Sequence, residues 1–105
     1  MHQTGTPMAM QHAHARLVAS DHVVARPVAN ETILLDLNTE RYISLDDVAT
    51  RMYHVALAAP TLADATRELA TEYRVSEERI ATDLENFTSQ LVDLGLAMFR
   101  PVGVS

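Results

Sequence analysis

Hydrophobic and polar positions follow one rule before about residue 45 and another after it. From His22, HVVARPV and NETILLDL read as two short β segments on either side of Ala29-Asn30, a turn pair. In the second segment Ile33, Leu35 and Leu37 share one face and Thr32, Leu34 and Asp36 the other, so one face is apolar and the opposite one mixed. Asn38-Thr39-Glu40 makes the next turn. Arg41–Leu45 then gives a third strand, with Tyr42 and Ser44 on one side and Arg41 and Ile43 on the other. Strands joined by turns this short pair antiparallel, because parallel pairing needs a long crossover.

After Leu45 the period changes from two to between three and four. Ser44, Asp46 and Asp47 are helix-capping types, and Val48, Met52, Val55 and Ala56 follow at helical spacing until Pro60 ends the run. Thr61 caps a second helix carrying Leu62, Ala65, Leu69, Ala70 and Tyr73. Ser76 caps a third, in which Ile80, Leu84, Phe87, Leu91 and Leu94 form one seam. Gly95 falls at the helix C′ position, Leu96 can pack back on the last turn, and Leu96–Phe99 is a short extended tail that Pro101 stops.

Strands first and helices after them predict an α+β fold: a three-stranded antiparallel β-sheet followed by three helices, in a winged helix-turn-helix-like arrangement. Residues 1–21, which mix Gly, Pro, Met and His without sustained periodicity, read as a flexible N-terminal arm, residues 22–99 as the domain and residues 100–105 as a tail. His2, His12 and His14 suggest a metal only weakly, since no regular element places a third ligand, and a solvated tail is the preferred reading.

Composition narrows the function. With no cysteine there is no disulfide or thiolate chemistry, and no segment has the length and apolarity of a signal peptide or membrane span, so a soluble cytoplasmic protein is expected. All eight basic residues are Arg, against fourteen acids, giving a net charge of −6. The third predicted helix, EERIATDLENFTSQLVDLG, holds one Arg and five acids, so a winged-helix DNA reader would be repelled by its target. No phosphate loop, zinc-helix motif or nucleophile elbow occurs, and His54 has no carboxylate nearer in sequence than Asp46 and Asp47, two turns away at the start of its own helix. The acid pairs Asp46-Asp47 and Glu77-Glu78 stand at helix starts, where the helix dipole accounts for them. Neither an enzyme nor a cofactor is expected.

What remains is binding another chain. The third strand is an edge unless the C-terminal tail returns to cover it, and Arg41-Tyr42-Ile43-Ser44-Leu45 has one charge and no proline to discourage pairing. An extended peptide can add there as a fourth strand, with the third helix as the wall of its side-chain pockets: Leu84, Phe87 and Leu91 offer apolar surface, and Asp83, Asn86 and Gln90 polar groups. The acidic helix, including Asp83 and Glu85, favours a peptide that is neutral or basic where it passes. The same edge also allows two copies to pair as a homodimer.

Over residues 22–99, ETILLDLNTERYISLDDVA, TLADATRELATEYRV and RIATDLENFTSQLVDLGL together resemble the PqqD-like family of peptide-recognition elements. The marks are Leu35-Asp36, Tyr42 with Leu45, Asp83 with Phe87, and Leu91 with Gly95-Leu96. Glu40 stands where the family commonly has Gly, which leaves Asn38 as the residue expected to turn left-handed, and Asp46 replaces a frequent Asn. The resemblance implies a stand-alone adaptor whose third strand and third helix bind a precursor's leader peptide. In the lasso-peptide reading it would present the precursor to a separate leader peptidase, a cysteine protease, and to a macrocyclase. The alternative it implies is a peptide chaperone serving a radical enzyme, as in pyrroloquinoline quinone synthesis.

Overall fold

The computed structural model describes residues 11–102. Its elements are β1 (Ala15–Ala19), β2 (Val23–Val28), β3 (Glu31–Asp36), β4 (Arg41–Leu45), α1 (Asp47–Ala58), α2 (Leu62–Tyr73), α3 (Glu77–Asp93) and β5 (Ala97–Pro101). The α+β expectation holds, with two antiparallel sheets: β2-β3-β4 in that order, and a separate β1-β5 ribbon.

The ribbon corrects the reading of residues 1–21 as a loose arm, of which residues 1–10 lie outside the described residues. Ala15–Ala19 pairs with Ala97–Pro101, setting Leu17 opposite Phe99 and leaving Leu17 only 1% exposed. Just ahead of it, the Ala13 carbonyl accepts from the Ala63 N–H (2.9 Å), one of the donors that the first turn of a helix leaves unpaired. His12 is no solvated tail residue either. Its ring stacks on Phe99 at 3.7 Å, and its Nδ1 lies 2.7 Å from Glu85 Oε2.

Each helix starts where the capping residues predict. Asp46, Thr61 and Ser76 accept from the N–H of Ala49, Asp64 and Arg79. At the end of α3, Gly95 takes φ +77°, and Leu96 N–H reaches back to the Leu91 carbonyl at 2.8 Å, a Schellman closure that buries Leu96 and directs the chain into β5.

The β2–β3 turn is the two-residue pair Ala29-Asn30, with Ala29 left-handed at φ +56°. The next turn departs from expectation. Glu40, rather than Asn38, adopts φ +62°, while its N–H closes on the Asp36 carbonyl at 2.7 Å. The Asp36 side chain accepts from the N–H groups of Asn38 and Thr39, which coils the loop right-handed until Glu40 must reverse it.

The mixed face of β3 turns inward and the apolar face outward. Thr32, Leu34 and Asp36 are buried, Ile33 and Leu35 are half-buried, and Leu37 is exposed. Leu34 supplies the apolar contact at the strand's centre, and Asp36 meets its hydrogen-bonding needs through the turn that follows. The core joins Leu17 and Leu34 to Leu62, Leu69, Leu84 and Leu91 of the helices.

Candidate functional site

Among the described residues no strand pairs with the outer side of β4, since β5 returns to β1 instead. The backbone N–H and C=O groups of that side face outward in a row, the template that an incoming strand needs. Beside this edge lies a cavity of about 220 Å³, bordered by Leu34, Asp36, Thr39, Arg41, Tyr42 and Ile43 of the sheet and by Leu94 and Leu96 from the end of α3.

The predicted strand residues Arg41, Tyr42, Ile43, Ser44 and Leu45 all lie on this edge strand. Tyr42 is 68% exposed, Arg41 and Ser44 are exposed, Ile43 is half-buried against the core, and Leu45 is buried. The α3 candidates divide by helical position. Asp83, Asn86, Phe87, Gln90 and Leu94 recur along one stripe at 100° per residue, with Asp83, Asn86 and Gln90 exposed and Phe87 half-buried. Leu84 and Leu91 instead are core residues, 0% and 1% exposed, so they support the wall without forming its surface. The spacing predicts a single seam, but the helix carries two neighbouring stripes, one packed and one facing out.

Glu85 also leaves the groove reading. It is buried on another face of α3, where it meets His12 and accepts from Ser89 Oγ at 3.1 Å. The cavity residues that the sequence reading did not assign to the site are Leu34, Asp36, Thr39, Leu94 and Leu96. A signal for Leu94 existed, because by angle it belongs with Asp83, Phe87 and Gln90.

Polar contacts brace the segments that border the cavity. Ser20 Oγ donates to the Gly95 carbonyl at 2.9 Å, and His22 Nε2 lies 3.1 Å from the same oxygen and 3.8 Å from Asp36 Oδ1. These groups tie the loop after α3 to the sheet. Burial pushes the Asp36 carboxyl up, but the N–H groups of Asn38 and Thr39 and the nearby His22 outweigh it and hold it below its ordinary value. The turn before β4 is therefore held most firmly above the ordinary carboxylate pKa, and it loosens as pH falls through the lowered one.

Among the described residues no three His, Asp or Glu side chains gather as a metal site, and no helix is long and apolar enough to cross a membrane.

Fold and edge together define a winged-helix-like α+β domain in which the outer edge of β4 lies open beside the end of α3. The chain belongs to the PqqD family: the model described as coenzyme PQQ synthesis protein D matches residues 31–97, as the motifs implied. Two solved structures are similar. TbiB1 in complex with the TbiA(beta) leader peptide is 26% identical, with 84% of this chain and 98% of that one matched at a TM-score of 0.71. A lasso peptide synthetase B1 complexed with the leader peptide is 23% identical over 80% of this chain and 99% of that one, at a TM-score of 0.74, a likeness of fold. No curated protein sequence matches the chain.

Proposed function

We propose that this protein is a non-catalytic adaptor that binds the leader segment of a ribosomally made precursor peptide as a strand added to β4, in a lasso-peptide pathway. The observation that carries the reading is the unpaired outer edge of β4 beside a cavity walled by the end of α3. Family membership and the likeness to TbiB1, whose structure holds a leader peptide, agree with it. Peptide backbone would hydrogen-bond along Arg41–Leu45, and one apolar side chain would enter the cavity between Ile43 and Leu94. The exposed Asp83, Asn86 and Gln90 would line the peptide's flank and favour a neutral or basic stretch there.

In this reading the leader peptidase and the macrocyclase are separate partners that receive the precursor from the adaptor. The unliganded edge could pair two copies, and leader binding would then separate them. The family's description raises a second reading, a chaperone that delivers a precursor of pyrroloquinoline quinone to a radical enzyme, which the likeness to leader-bound TbiB1 supports less well. Neighbouring genes decide between them: a short precursor, a peptidase and a cyclase for the first, a radical enzyme for the second.

Proline substitution on β4 tests the edge. N–H groups alternate in direction along a strand, so Ile43→Pro or Ser44→Pro removes one that faces outward, while the other breaks the β3–β4 ladder. Of the two, the variant that remains folded should bind the cluster's own leader at least tenfold more weakly. Unchanged affinity in that folded variant would remove the β4 edge from the account.

A further inference from the structure

The outward face of the β2-β3-β4 sheet carries an apolar row that the groove beside α3 does not use. Register places Val24, Leu35 and Tyr42 side by side across the three strands, and Arg26, Ile33 and Ser44 in the next row. Val24 is 38% and Tyr42 68% exposed, and a shallow depression of about 440 Å³ lies over Val24, Arg26, Ile33, Leu35 and Tyr42. Tyr42 also borders the cavity on the helix side, so the two surfaces meet at the open edge.

Two rows on three strands span on the order of 200 Å², against about 800 Å² that each partner buries in a stable protein–protein contact. Arg26 and Ser44 also make the second row mixed. Ile33 and Leu37 extend the apolar surface along β3, but only the row Val24–Leu35–Tyr42 is apolar on all three strands, and it stops where a fourth strand would begin. Its dimensions suit a side chain of an added strand rather than the face of a second protein.

A strand added to β4 alternates its side chains between the two faces of the sheet. Resting on the leader-binding reading above, we propose that this outward row is a second specificity site for the same peptide. One set of leader side chains enters the helix-side cavity. The side chain of opposite parity that lands beside Tyr42 is apolar or aromatic and extends the row Val24–Leu35–Tyr42, as cross-strand neighbours do. Recognition is then two-faced, and a leader is read at adjacent positions of both parities.

The test is a displayed library of random twelve-residue peptides selected on the immobilised full chain, in parallel with Tyr42→Thr and Leu35→Thr. Thr keeps strand propensity, and Tyr42 is exposed enough that its loss does not threaten the fold. Peptides selected on the unaltered protein should be apolar at positions of both parities. Each variant should relax one parity alone, and the best binder should lose roughly three- to tenfold in affinity with Tyr42→Thr. Selection at one parity only, or the same peptide set on variant and unaltered protein, would overturn the second site while leaving leader binding intact. Enrichment of no peptide at all would overturn both.

Discussion

Two antiparallel pairs of short strands in this protein, β1 with β5 and β3 with β4, differ in what their far sides meet. The β1–β5 ribbon is fastened on several sides: Leu17 is buried, Phe99 stacks on His12, His12 reaches Glu85, and Ala13 completes the first turn of α2. The β3–β4 pair is fastened by β2 along β3, by its inner face and by its turn, but the outer edge of β4 has no partner among the described residues. Similar lengths of strand therefore do different work. Where side chains are packed and anchored from within the chain, the strand is structural; where an edge is left open beside a cavity, the partner proposed for it is another molecule.

Crossed truncations should separate the two regions most strongly. Leu17→Ala should lower unfolding free energy by about 2–4 kcal/mol, as loss of a buried Leu does, and leave the leader affinity of the folded protein within twofold. Leu94→Ala, at the exposed cavity rim, should do the reverse, weakening leader binding about tenfold (~1.4 kcal/mol) with little change in stability. Denaturant titration and calorimetric binding on both variants check the pair.

The turn that feeds β4 offers a smaller effect of opposite sign. Glu40 holds φ +62°, a conformation disfavoured for side chains with a Cβ, so Glu40→Gly should raise stability by roughly 1 kcal/mol, read from the denaturation midpoint. Smallest is the electrostatic contribution of the helical wall. Asp83 is exposed, so Asp83→Asn should weaken binding of a basic leader only about two- to threefold at low salt, and salt should erase the difference.

The contrast also explains what was legible in the sequence. The β2–β4 meander and the three helices were readable because their signals are local: a turn pair at Ala29-Asn30, and capping residues at Asp46, Thr61 and Ser76 ahead of apolar stripes. The ribbon was hidden because its partners are far apart in the chain, with Leu17 opposite Phe99, and because the Met, Gly and His around residues 2–14 have the composition of a loose arm. The open edge of β4 was readable, since only the Leu96–Phe99 tail after Leu45 offered to cover it, and that tail pairs with β1 instead.

The helix-side wall was read less well, for a geometric reason. A 4-3-4-3 spacing does not distinguish a core stripe from the stripe beside it, so it puts Leu84 and Leu91, which are core, in one seam with the half-buried Phe87 and the exposed Leu94. Glu85 looked like an exposed acid because its partner, His12, is 73 residues away. The inward turn of Thr32, Leu34 and Asp36 was likewise obscured, since Asp36 becomes tolerable inside only once Asn38 and Thr39 donate to it.

The central claim is that β4 is completed by a peptide, and amide hydrogen exchange on adding the pathway's leader tests it most directly. N–H groups alternating along residues 41–45 should gain protection and shift, while those of the β1–β5 ribbon stay as they were. Leader binding that leaves the amides of residues 41–45 unprotected would contradict it.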